Sequence, residues 1–154
     1  MTAGAADGAP LRVRLVRVRP QAVLPERAYE HDAAFDLSAA EPAVVEPGGR
    51  ATVPTGVAIE LPEHSCALVL PRSGLAARHG ITLLNAPGLI DAPFRGELGV
   101  ILLNTDRAAE FTVRAGDRVA QLVIVELGSV TPVAAGELDV TARGSGGFGS
   151  TGVD

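Results

Sequence analysis

The run with most chemical potential is Asn85-Ala86-Pro87-Gly88-Leu89-Ile90-Asp91-Ala92-Pro93-Phe94-Arg95-Gly96-Glu97. Its prolines and glycines shape a stiff hairpin loop that can present backbone N–H and C=O groups to a ligand edge. Asp91 stands among Leu89, Ile90 and Pro93. A carboxylate shielded from water there could serve as a general base. Pro71-Arg72-Ser73-Gly74-Leu75-Ala76 reads as the start of a short helix, with Ser73 as its cap. Free N–H groups and the positive dipole end gather there and suit a phosphate. Arg72 adds a planar fork of donors. Ala34-Phe35-Asp36-Leu37-Ser38-Ala39 places an acid in what reads as a small-residue turn. One such acid could help hold hydrated Mg²⁺, which keeps several waters and needs few carboxylates. In Gly116-Asp117-Arg118-Val119-Ala120-Gln121-Leu122, Gln121 interrupts an apolar strand and needs a partner or a ligand. Finally, Arg143-Gly144-Ser145-Gly146-Gly147-Phe148-Gly149-Ser150-Thr151-Gly152 is a donor-rich arm with one Arg and one aromatic ring. Such an arm could fold over an anionic ligand, its ordering cost incurred on binding.

Each run alone has an ordinary explanation. Asp91 and Asp36 could be turn residues, Phe94 core packing, Gln121 the solvated face of an edge strand, and the arm a plain tail. Gly144-x-Gly146-x-x-Gly149 matches a dinucleotide fingerprint only formally, because no βαβ unit surrounds it. It is not a Walker loop, since no Lys follows. His31, His64 and His79 lack metal-ligand spacing, so no zinc site is expected. No Ser-His-Asp arrangement can be argued from the spacing, and a Gly-x-Ser-x-Gly elbow is absent. Cys66 lies in an apolar stretch and reads as a buried structural thiol.

These runs must be held by strands. The 154 residues suit one domain, and 18 glycines and 11 prolines punctuate the chain at the spacing of an all-β sandwich or barrel. Leu11 to Leu15 and Val57 to Leu61 alternate with period two. Ala67 to Leu70, Val100 to Leu103 and Leu122 to Val125 are continuous apolar runs, expected of strands covered on both faces. Ala43 to Val45 and Phe111 to Val113 are shorter candidates, and Ser73 to Gly80 is the one helix. The organisation expected is a flexible N-terminus (1–10), a β domain (11–140) and a glycine-rich arm (141–154). The net charge of −5 argues against a nucleic-acid binder. No run is long enough for a membrane helix, and the small, polar start lacks a signal peptide's features, so a cytoplasmic protein is expected. All 13 basic residues are Arg, the habit of a GC-rich bacterial genome.

As an ordered set, the five runs resemble the five motifs of the trimeric dUTPase family, over residues 11 to 152. The resemblance implies a jelly-roll-type β-sandwich with one short helix and a flexible arm. It further implies a homotrimer with three active sites at subunit junctions. The implied activity is Mg²⁺-dependent hydrolysis of dUTP to dUMP and pyrophosphate, which limits uracil in DNA and supplies dUMP for thymidylate synthesis. On this resemblance Asp91 activates the water that attacks the α-phosphorus. Arg72, Ser73, Gly74, Gln121, Arg143, Ser150 and Thr151 fall on phosphate-binding positions, and Asp36 on the acid holding Mg²⁺ through water. Asn85, Leu89, Ile90 and Gly99 fall on the uracil pocket, Phe94 under the deoxyribose and Phe148 over the base. Phe94 stands where the family usually has Tyr, and Ala34 where it usually has Gly. The competing expectations are a dCTP deaminase-related enzyme, which would need a catalytic Glu where Ile101 stands, and a non-catalytic dUTPase-like binding protein.

Overall fold

The structure, a computed structural model, describes residues 11–147. In chain order its elements are β1 (Arg14–Arg17), β2 (Phe35–Ser38), β3 (Ala43–Val45), β4 (Arg50–Glu60), β5 (Ser65–Leu70), α1 (Ser73–His79), β6 (Ile81–Leu83), β7 (Gly88–Asp91), β8 (Glu97–Asn104), β9 (Phe111–Val113) and β10 (Arg118–Glu126). One sheet runs β1-β4-β8-β6 and the other β2-β10-β5-β7, with β3 and β9 forming a short third pair. Every pairing is antiparallel. Val53, Ile59, Leu98, Val100 and Leu102 of the first sheet meet Leu37, Ala67, Val69 and Leu122 of the second in one buried cluster. The expected jelly-roll-type sandwich is thus present.

Local chemistry explains the breaks. Pro54 lies within β4 where the pairing with β8 shifts register, since a ring without an N–H fits a bulge. Gly56 follows at φ 70, and a β-carbon there would come within 2.6 Å of Ala22 Cβ, so only glycine fits. Gly80 closes α1 in the left-handed conformation, its N–H reaching back to Ala76 O.

Four expectations need correction. The loop from Asn85 to Glu97 is not wholly irregular: Gly88–Asp91 forms β7 and pairs with β5 in the opposite sheet. Asp36 lies on β2 rather than in a turn. Ser73 is not the helix cap, because Arg72 holds that position with no side-chain capping bond. The apolar runs are not covered on both faces. In β5, Ala67 and Val69 are buried while Leu68 and Leu70 turn outward, half-buried, and β10 likewise turns Val123 and Val125 outward. Cys66 is a free, buried thiol, as expected.

Candidate active site

The β2-β10-β5-β7 sheet carries most of the chemistry on its outer face. Strand alternation decides which residues emerge there. Gln121 pairs with Asp36 on one side and with Leu70 on the other, so the three form one row. β10 is therefore an interior strand, not the edge its Gln suggested. Two residues beyond Leu70, Arg72 at the mouth of α1 reaches back over this row.

Asp36 is the hub. Its Oδ2 accepts a hydrogen bond from Arg118 at 3.0 Å, and its Oδ1 lies 3.3 Å from Arg72 Nε. That second contact is an ion pair without hydrogen-bond alignment, because Asp36 Oδ1 and Arg72 Nε are both buried with no bonded partner. Arg72 Nη1 in turn donates to Arg118 O at 3.1 Å. Buried charged groups left half-bonded are costly, so this corner is built to receive something more. Arg72 and Arg118 also line a cavity of about 440 Å³ with Leu75, His79, Phe111, Thr112, Arg114, Asp117 and Val119. Its cationic wall favours an anion. Ser73 and Gly74, the first helical residues, stand beside it.

The second group clusters around β7. Leu84 N donates to Ile101 O at 2.9 Å, after which the chain leaves β8 and crosses to the other sheet. Asn85 lies at that crossing, its side chain against Gly88, where a β-carbon would come within 3.3 Å of Asn85 Nδ2. Leu89 and Ile90 follow on β7, opposite Leu68 and Ala67, and Asp91 lies opposite Cys66. Gly99 is exposed on β8 opposite Pro54, and a β-carbon there would come within 3.4 Å of Thr52 Cγ2. Phe94 N closes the turn by donating to Asp91 O at 3.0 Å. The Phe94 ring folds onto Gly96 so closely that a β-carbon there would meet its Cζ at 2.7 Å. Asp91 is exposed in this chain, as are Leu89 and Pro93. The shielding expected from its neighbours is not supplied by the chain itself, because the turn projects from the sheet.

The two groups stand apart. Asp91 is level with Cys66, and Arg72 reaches the Leu70 row four strand positions further along, roughly 13 Å at the rise of an extended strand. Between them the outer face presents Leu68, Leu70, Val123 and Val125. Arg143 lies beyond the last strand, its Nε donating to Gly146 O at 2.9 Å within its own turn. Phe148, Ser150 and Thr151 fall outside the described residues.

Sequence reasoning missed two residues. In the sequence Arg118 stands out only as part of its run, because its bond to Asp36 depends on the β2–β10 register. Glu97 was read only as the end of the loop. Its Oε1 accepts from Arg19 Nε at 2.7 Å and from Gly56 N at 2.8 Å. The Arg19 bond, helped by the Gly56 N–H, holds the Glu97 carboxyl below its ordinary range against partial burial.

Comparison with known proteins gives a consistent result. The family model described as dUTPase matches residues 20–152. A deoxyuridine 5'-triphosphate nucleotidohydrolase of Thermobifida fusca is 53% identical over 92% of this chain and 79% of its own. One of Corynebacterium glutamicum is 49% identical over 91% of this chain and 94% of its own. Among solved structures, a mutant Staphylococcus bacteriophage 80alpha dUTPase with dUpNHpp superposes with TM-score 0.85 at 28% identity, covering 92% of this chain and 99% of that one. A mutant dUTPase from phage phi11 of S. aureus, described as revealing the coordination of a structural Mg(II) ion, superposes with TM-score 0.77 at 26% identity, covering 82% of this chain and 97% of that one.

Proposed function

We infer, on the premise that this chain belongs to the dUTPase family, that it hydrolyses dUTP to dUMP and pyrophosphate. The observation that carries the mechanism is the pairing of a cationic, half-bonded corner around Asp36 with a separate turn that offers one acid, one ring and backbone groups. Neither group suffices alone. Arg72, Ser73, Gly74 and Gln121 bind the triphosphate, and Asp91 takes the proton from the water that attacks the α-phosphorus. Dispersed donors suit this reaction, since its transition state spreads charge over several oxygens. Asn85 and the backbone of Leu89, Ile90 and Gly99 read the uracil edge. Cytosine, with donor and acceptor exchanged, would leave those groups unpaired. The Phe94 ring underlies the deoxyribose and excludes a 2′-hydroxyl by shape. Arg143, Ser150 and Thr151 add phosphate contacts from the 141–154 arm, and Phe148 covers the base.

The partly bonded carboxylate of Asp36 suits Mg²⁺ held through water. Its Oδ1 has no hydrogen-bond donor of its own, and a metal arriving with the triphosphate keeps several waters that can donate to it. When bound, the metal supplies positive charge to the phosphates.

We further propose that the sites are shared between copies in a homotrimer. The separation of roughly 13 Å between the Cys66 and Leu70 levels of β5 sets Asp91 apart from the Arg72–Asp36 corner of the same chain, which supports this reading. The outward Leu68, Leu70, Val123 and Val125 offer a neighbour an apolar face where antiparallel sheets usually turn polar residues to solvent. A cytoplasmic location suits an enzyme of the nucleotide pool, and no helix among the described residues is long and apolar enough to cross a membrane.

The test is pyrophosphate release from dUTP, dCTP, dTTP and UTP, with and without Mg²⁺. Release from dUTP alone, stimulated by Mg²⁺, is the expected result. Ammonia release from dCTP would instead support the deaminase-related alternative, and no turnover of any substrate would support a binding protein.

A further inference from the structure

Glu97 stands immediately after Gly96, on whose α-carbon the Phe94 ring lies. Phe94 itself is 40% exposed, and the Gly96 backbone is a surface on which its ring rests. Its position therefore follows that of the Gly96 backbone. Glu97 ties that backbone directly to two other segments and, through Arg19, to a third. One carboxylate oxygen, Oε1, takes both the Arg19 guanidinium and the Gly56 N–H. Arg19 also binds Glu41, which anchors the guanidinium from the far side. Gly56 cannot give way, since Ala22 and Ala40 crowd its α-carbon and Val18 N bonds its carbonyl at 2.8 Å. Next along β8, Thr55 Oγ1 donates to Leu98 O at 2.7 Å and extends the brace. A partly buried carboxylate with two charge-assisted bonds is a stiff anchor. Neither of its bonded partners is a group assigned to substrate.

We propose that Glu97 is a positioning residue for sugar selection: by pinning the exit of the β7–β8 turn to Arg19 and Gly56, it fixes the backbone on which the Phe94 ring rests. This rests on the reading that the Phe94 ring excludes ribose. A shape filter must be held to a fraction of an ångström, because a 2′-hydroxyl adds only one atom. The phenol of the usual Tyr is missing here, so a hydrogen bond from the ring cannot hold it, and the brace behind Gly96 carries that burden.

The experiment measures kcat/KM for dUTP and for UTP in wild type, Glu97→Ala, Phe94→Ala and the double variant, with melting temperatures alongside. Glu97→Ala is expected to lower the dUTP-to-UTP ratio about tenfold, mainly through KM, as misplacement of a positioning group does. Phe94→Ala is expected to lower it at least as far, and the double variant no further than Phe94→Ala alone, since the two act through one ring. Glu97→Gln, which keeps an acceptor, should restore most of the ratio. An unchanged ratio in Glu97→Ala with a lowered one in Phe94→Ala overturns this inference alone, whatever the melting temperature does. Fully additive losses in the double variant do the same. An unchanged ratio in Phe94→Ala overturns the sugar reading and this inference with it. If Glu97→Ala fails to fold, Arg19→Met removes the guanidinium and leaves the Gly56 bond. It should lower the ratio in the same direction, and an unchanged ratio there overturns the inference.

Discussion

Mixing two inactive variants should restore activity if each site draws on two copies. Asp91→Asn removes the base while keeping the shape of the side chain, and Arg72→Ala removes a phosphate ligand from the other group. Each change alone should cost about two to four orders of magnitude in turnover. The attacking water must lie within about 3–3.5 Å of the phosphorus while hydrogen-bonded to the base. Asp91 sits level with Cys66, and four residues of strand separate Cys66 from the Leu70 row that Arg72 reaches, roughly 13 Å. On the proposed shared site, Asp91 comes from one copy and Arg72 from another. In a closed ring randomly assembled from equal amounts of the two variants, a site is intact when its Asp91 donor is the Arg72 variant and its Arg72 donor is the Asp91 variant. Each condition holds half the time, so about one quarter of wild-type activity should return. Equal amounts would be unfolded together, refolded and assayed for pyrophosphate release, with separately refolded variants mixed afterwards as the control. If both elements of a site came from one chain, every site would carry a lesion and no activity would return. That outcome would refute both the distance argument and the shared site.

Two further outcomes follow from particular contacts. The Glu97 carboxyl is held below its ordinary value of 4.5, chiefly by the Arg19 hydrogen bond. Its contribution to stability is therefore fully present above pH 4.5 and is lost as pH falls below that value through the lowered folded one. Melting temperature against pH should fall less steeply in that acid range for Glu97→Gln than for wild type, and parallel curves would remove Glu97 from the acid sensitivity. A chain ending at Ala142 should keep nearly the wild-type melting temperature, since the last strand among the described residues ends at Glu126, yet lose most of its turnover, because closing an arm over the site excludes water and orients phosphates. Unfolding of that chain, or normal turnover, measured by thermal denaturation and pyrophosphate release, would contradict the lid.

Much of this protein was legible in the sequence because it depends on local chemistry. Gly and Pro spacing gave an all-β chain, since these residues end strands wherever they fall. The one helix was readable from Ser73 to Gly80 because a left-handed closing residue at Gly80 favours glycine. The residue types at Asp91, Arg72, Asp36 and Gln121 pointed to the chemistry, since a base, a phosphate fork, an acid and an isolated amide each have few uses. Strand partners were not legible. Asn85 to Glu97 looked like one hairpin loop between β6 and β8, yet β7 leaves that hairpin to pair with β5 in the other sheet. The bonds that reward this crossing join residues distant in sequence, and no local propensity encodes them. The same register brings Asp36 beside Gln121 and hands Arg118 and Arg72 to one carboxylate. Only the tertiary structure decided that Asp91 and Arg72, both on segments adjoining β5, lie at opposite ends of it. Sequence order carries no such distance, and that distance is the physical basis for proposing that two copies complete each site.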